Sequence, residues 1–521
     1  MGIKRYFANA DNTITNAFEE DLSTRGTGSN MGASDVLEVF SIYGQTSSSA
    51  GSATELSRVL IKFPVTVVSS DRDSGNIPAS GSVKFYLKMY NSKHSRTLPK
   101  NYELLVSAVS SSWEEGNGLD MEYYSDLTNG NEGSNWISGS QSGGWTSAGG
   151  DYHSSPAPVS QSFDVGTENL EIDVSNIVEE WIDSTTNYGF GIRLTDSYEA
   201  YYSSSTGEDA GSVLHNVNGS TKSYYTKRFY GRGTEFHFKK PVLEARWDSV
   251  TRDDRGTFYY SSSLAPADDN LNTIYFYNYI RGRLENIPLI GKNKIMLSLF
   301  SGSSDNTGPY GAALTMSTDY THVLATAPTV VTGGYVSTGI YSASFAFTGS
   351  STLTNVYDVW FSGSDSIPDA SKATYQFYSG SIAPNTLYGF GYSNDKKYVL
   401  SMPNLEKEYY RDQTARLRVF NREKKWQPSI YSRATSVIPP TIIPSASFRV
   451  VRIVDSLDVI PYGTGSNNNT GISYDVSGAY FDLDMNVFEA GYQYGLKYSF
   501  KDANTGTYHE QPYIFKFRVV E

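Results

Sequence analysis

The segment SVKFYLKMY, residues 82–90, alternates apolar and polar side chains, so that Val83, Phe85, Leu87 and Met89 fall on one face. A period of two marks a strand with one buried side, because successive side chains of a strand point to opposite faces. Comparable short runs recur along the chain, among them VLEVFSIYG (36–44), RVLIKFPVTVV (58–68) and ELLVSAV (103–109), each bounded by Gly, Ser, Asn or Asp. Composition agrees: 41 Tyr, 25 Phe and 46 Gly suit pleated, half-buried surfaces joined by tight turns, and long helical repeats are missing. The expectation is an all-β chain of three β-sandwich domains in series, the first jelly-roll-like with one short helix.

At 521 residues the chain exceeds one ordinary domain of roughly 100 to 200 residues. The first expected domain spans 1–247. Its helix is placed over 173–182, where Ile177, Val178, Trp181 and Ile182 recur at helical spacing behind a Ser175–Asn176 start able to cap free amides. The Ser/Gly-rich stretch from Ser138 to Gln161 carries no period and reads as a surface excursion. An immunoglobulin-like sandwich is expected over 248–397, with strands at 273–280, 294–302, 333–349, 356–363 and 373–382. A C-terminal β-domain fills 398–521. There SVIPPTIIPS (436–445) is excluded from a central strand, since its prolines lack ladder donors.

Charge and cysteine narrow the function. With 42 Lys+Arg against 55 Asp+Glu the net charge is −13, which disfavours binding to phosphate backbones, so nucleic acid is not an expected partner. With no cysteine, disulfides, thiolate metal sites and cysteine nucleophiles are impossible. The first residues, MGIKRYFANADNTITNAF, lack the apolar core of a signal peptide, and no apolar run approaches the roughly 18 residues of a membrane span. No membrane insertion is expected, and extracellular composition without an export signal points to release by lysis.

No catalytic constellation emerges, and no enzyme, cofactor or metal is expected. The six histidines, at 94, 153, 215, 237, 322 and 509, form no ligand motif. Glu114 and Glu115 beside Trp113 suggest a glycosidase acid, but adjacent strand residues face opposite ways and cannot form a dyad. The acidic runs at 71–76 and 248–256 lack the distal bidentate Glu of a calcium loop, and GSNNNTG (465–471) has no Walker lysine, so all three read as turns. Tyrosine doublets at 123–124, 201–202, 224–225, 259–260 and 409–410 should each turn one ring inward and one outward. The expected glycan or interface contacts are Trp145, Tyr123, Tyr202, Tyr225 and Tyr260.

SRVLIKF (57–63), SSSWEEGNG (110–118), IDVSNIVEEWI (172–182), NYGFGIRL (187–194) and PVLEARW (241–247) together resemble the DNRLRE family, β-sandwich modules of cell-wall and surface proteins. Ser175 stands where that family has Thr. The resemblance implies a structural or adhesive module and brings no enzyme mechanism. LEARWDSVTRDDRG (243–256), the run 259–282 and GGYVSTGIYSASFAFTG (333–349) resemble virion structural proteins of tailed marine phages, cyanophages included. That resemblance implies a protein of the virion exterior (neck, tail, fibre or capsid decoration), assembled in the host cytoplasm. Other virion proteins and copies of itself are the partners it implies. A host-recognition adhesin for surface glycans is the alternative.

Overall fold

A computed structural model describes residues 2–43, 54–94, 98–119, 133–140, 143–202, 214–261, 270–302, 305, 308–318, 328–347, 353–362, 376–385, 397–424, 440–463, 468–502 and 506–521. The chain is all-β, with several sheets, and contacts divide it into two compact units, Gly2–Asp248 and Ser249–Glu521.

In the first unit a four-stranded antiparallel sheet runs in the order Ile3–Phe7, Val242–Arg246, Lys84–Met89, Leu170–Asp173. A seven-stranded sheet runs in the order Tyr224–Tyr230, Val36–Tyr43, Thr54–Lys62, Phe190–Leu194, Tyr102–Ala108, Val159–Phe163, and Ala10–Thr15 also pairs with Thr54–Lys62. The inner faces enclose one apolar core in which Phe85, Leu87 and Met89 meet Val59, Ile61, Leu104 and Ile192. Val83, Phe85, Leu87 and Met89 are all buried, as their alternation requires. The seven-stranded sheet curls strongly. Tyr225 and Tyr102 lie on strands far apart in its order, yet their rings are 5.8 Å apart.

Among the described residues there are two α-helices where one was expected. The helix Ser175–Asp183 buries Ile177, Val178 and Trp181 against the core. Ser175 does not cap it: the Ser175 hydroxyl donates to Asp173 Oδ1 (2.5 Å) and accepts from Phe85 N (2.8 Å), while Asp173 Oδ1 also accepts from Ser175 N. The second helix, Val65–Asp73, replaces half of an expected strand. RVLIKFPVTVV breaks at Pro64, which cannot continue the ladder, and Val65 and Val68 then bury one helical face three residues apart. Arg72 anchors this helix to the other through two 2.6 Å bonds to Glu179.

In the second unit one sheet runs Asn272–Tyr277, Ile340–Phe347, Val331–Ser337, Ile295–Gly302, Val356–Phe361, Gln376–Ile382, with two short strands attached. The run 333–349 is a hairpin and not one strand. It turns at Thr338–Gly339, where Gly339 has φ +72°, a left-handed conformation that glycine adopts without steric cost. This sheet also curls, since Phe276 and Tyr378, from the two end strands, are 5.7 Å apart. The remainder packs a four-stranded sheet (Tyr398–Ser401, Thr414–Glu423, Gly478–Asp484, Ser473–Asp475) on a six-stranded one centred on Gln493–Lys501. Phe448 and Phe481 stack between those two sheets at 4.2 Å. Residues 440–445 form no strand, though Thr441 N donates to Asn421 O; 436–439 lie outside the described residues.

Candidate interaction surfaces

In each of the four described doublets one ring is more exposed than the other, although Tyr224 stacks on Tyr225 at 4.8 Å, and where a contact was expected the exposed ring is the other member. Tyr201 (39%), Tyr224 (59%), Tyr259 (39%) and Tyr410 (57%) are the exposed rings. Tyr202, Tyr225 and Tyr260, named above as contacts, are half-buried. Tyr225 packs edge-on against Tyr198 at 5.1 Å, and Tyr260 stacks on Phe347 at 5.3 Å while its hydroxyl donates to Leu353 O. A doublet leaves open which ring faces the core. It is the second in the doublets at 201–202, 224–225 and 259–260, whereas Tyr409 is the buried one beside Tyr410. Tyr123 lies outside the described residues.

Trp145 is a clear correction. It is 8% exposed and joins Ile14, Leu56, Leu60, Val109 and Trp136 in a second core, on the other side of the strand Thr54–Lys62 from the main one. Its indole N–H donates to Asn135 O at 2.8 Å. The glycine-rich stretch therefore covers the sheet as a packed layer, because a tryptophan that can satisfy its N–H gains more by burial than by display. Trp113 belongs to the same layer and donates to Tyr188 O.

The carboxylates singled out by sequence are held in internal contacts. Glu115 takes two bonds from Arg232, at 2.5 and 2.6 Å, and one from Asp11 N, while Glu114 is exposed. Asp71 accepts from Lys4, Tyr6 and Asn76. Asp254 accepts from Thr273 N and the Tyr474 hydroxyl, both at 2.7 Å. Among the described residues no group of three or more His, Asp or Glu could hold a metal ion. Among the same residues no helix is long and apolar enough to cross a membrane.

Burial raises Asp11 and Asp253, which neighbour these carboxylates. Asp11 is pushed up to about 7 by burial, with Glu115 adding to the effect, and Asp253 to about 6 by burial. A third buried acid goes the other way: burial opposes the charge of Glu244, but Arg5, Lys88 and Arg246 outweigh it and hold the carboxyl well below its ordinary range.

A cleft of about 480 Å³ opens in the second unit beside Ala446–Arg452. Tyr462, Tyr508, Ser445–Ser447, Asn468 and Arg252 are among the residues that line it. Tyr508 is 58% exposed, whereas Tyr462 is fixed by a 3.2 Å bond to Glu510 and by Arg449 over its ring. Aromatic rings beside amide and hydroxyl groups form a surface able to stack and hydrogen-bond a small polar ligand. Sequence reading missed this cleft, whose residues come from distant strands.

Lys227 was also missed. It lies on the inner face of Tyr224–Tyr230 with Tyr225 and Phe229, and is fully buried. Its ammonium donates to Asn91 Oδ1 (2.7 Å), Gly166 O (2.8 Å) and Glu168 O (2.7 Å), between the rings of Phe163 and Phe229. The signal was present in YYTKRFY, where period two places a lysine among inward aromatics.

No known family profile matches the chain, and no curated protein matches it. Among solved structures it aligns with a DUF4785 family protein of Legionella pneumophila at 6% identity, covering 99% of this chain and 90% of that one. The TM-score of 0.12 is too low to carry an argument about fold or function.

Proposed function

We propose that this chain is a non-enzymatic structural protein of a tailed-phage particle, set on its exterior and assembled in several copies with other virion proteins. The observation that carries the reading is the set of exposed tyrosines, Tyr201, Tyr224, Tyr259 and Tyr410, each beside a ring sunk deeper in its β-framework. Aromatic rings on a rigid support lose little entropy on contact and are enriched in protein interfaces. The placement on a phage particle rests on the resemblance of residues 243–256, 259–282 and 333–349 to virion proteins. The division into three domains at 248 and 398 belongs to the same reading.

A second reading, glycan recognition, is favoured by the cleft between Tyr462 and Tyr508. Immunogold microscopy of purified particles, with antibodies to residues 1–247 and 398–521, tests both. Label at neck, sheath or head supports the structural role, and label at a distal fibre tip supports the adhesin. Unlabelled particles, with the antigen shown to be accessible, would remove the chain from the virion.

A further inference from the structure

Lys227 is a desolvated amine with no carboxylate among its three hydrogen-bond acceptors. Burial pulls its ammonium down to about 8, against the attraction of the Glu168 carboxylate. Near neutrality a fraction on the order of a tenth is therefore free amine. A lysine desolvated among apolar groups is the form in which this side chain acts as a nucleophile.

Opposite it stands a carboxamide. Asn91 Oδ1 accepts from Lys227 and lies 3.1 Å from His94 Nε2, which is also 3.3 Å from Arg228 N. His94 Nε2 accepts from Arg228 N and so has no hydrogen for Asn91, which leaves Lys227 as the group that polarises the Asn91 carbonyl. The histidine is neutral, since burial, Lys227 and Arg228 lower it to about 4. Asn91 N donates to Asn169 Oδ1, which fixes the backbone beneath the amide. The Glu168 carboxylate acts electrostatically on Lys227 and Tyr102 without forming an ion pair with Lys227, and backbone amides hold it below its ordinary range against the effect of burial. Its Oε1 accepts from Val165 N, while its Oε2 and the Tyr102 hydroxyl are buried with no hydrogen-bond partner.

We infer that Lys227 and Asn91 join in an intramolecular amide crosslink. The neutral Nζ attacks Asn91 Cγ, and the Nζ–Cγ bond forms as the carbonyl oxygen takes negative charge. Glu168 accepts a proton from Nζ and returns it to Nδ2. The Cγ–Nδ2 bond then breaks, and one ammonia leaves. A primary amide and an amine become a secondary amide and ammonia, with no oxidant, reductant or cofactor required.

The backbone already holds the two segments together, since Ser92 N donates to Arg228 O and Tyr230 N to Tyr90 O, both at 3.0 Å. Asn91 follows Lys84–Met89 of the four-stranded sheet, and Lys227 sits on an outer strand of the seven-stranded one. The bond would staple the two sheets, closing the loop from 91 to 227, as a disulfide does in chains that have cysteine. This inference does not depend on the particle reading.

Intact-mass spectrometry of the denatured full chain, followed by peptide mapping, tests it. The expected mass is lower than the sequence mass by one ammonia, with a branched peptide joining the fragments that contain 91 and 227. Lys227→Arg and Asn91→Ala should each restore the sequence mass, and Glu168→Gln should slow formation by about a hundredfold. Asn91→Ala keeps the two backbone acceptors of Lys227, so a folded control remains if Lys227→Arg misfolds. The full sequence mass after prolonged incubation at alkaline pH overturns the inference. So does a lost ammonia without a branched peptide, which would mean a cyclised asparagine.

Discussion

Both units contain a curled sheet with a buried cation near where its outer strands meet, and the two cations are handled differently. In the first unit Lys227 lies against the Phe163 and Phe229 rings and donates to three uncharged oxygens. In the second, Arg255 lies 5.7 Å from the centre of the Tyr378 ring and makes two 2.6 Å bonds to the buried carboxylate of Asp358. Burial opposes the charge of Arg255, yet Asp358 outweighs it and holds the guanidinium above its ordinary range. Burial draws Lys227 the other way. The same architectural need is thus met once by a permanent ion pair and once by an amine left near its point of deprotonation. Paired, a buried cation is a structural tie; unpaired by a carboxylate, it becomes a group with chemistry to do.

Breaking the ion pair should give the largest effect. Asp358→Ala strands the Arg255 guanidinium and removes the acceptor of the Trp360 indole N–H. A loss of about 3–5 kcal/mol is expected in denaturant unfolding of the second unit. The double replacement Arg255→Met with Asp358→Leu should recover most of it, because both charges then leave the interior together.

The two units should differ next in their response to pH. Asp11 and Asp253 have folded values of about 7 and about 6, above an unfolded value of about 3.9. Each therefore contributes stability that is full below about pH 4 and is lost as pH rises through its folded value. Asp11→Asn should abolish that decline between about pH 4 and 7 in the first unit, and Asp253→Asn a shorter one in the second. Thermal unfolding as a function of pH checks this, and a variant that declines in parallel with the parent chain would show these acids to be ordinary.

The smallest effect on stability belongs to the exposed rings. Tyr224→Ser should change unfolding free energy by about 1 kcal/mol at most, through its stacking on Tyr225, while lowering the self-association measured by analytical ultracentrifugation. Tyr225→Ser, one residue on, should cost about 3 kcal/mol through lost packing against Tyr198 and Tyr102. Equal effects at both positions would contradict the inward–outward assignment.

Much of the framework was legible because it is local. Period two put Val83, Phe85, Leu87 and Met89 on a buried face, and helical spacing placed Ile177, Val178 and Trp181 on one side of a helix. Pro64 could have been read as the end of its strand, but the helix after it forms only because the core offers a place for Val65 and Val68. The candidate sites were less legible. Trp145 stands in a stretch with no period, and its burial depends on Asn135 and on the outer face of a strand far away in sequence.

The residues alone determined an all-β chain and its exclusion from thiol chemistry, and they pointed to unequal exposure within the four described tyrosine pairs, since composition and alternation are properties of neighbours along the chain. Tertiary structure decided which ring of each pair is covered, that the glycine-rich stretch packs as a layer, and that Lys227 meets Asn91. Those outcomes depend on which distant strand supplies the covering surface and the hydrogen-bond acceptors, and no local pattern contains that information.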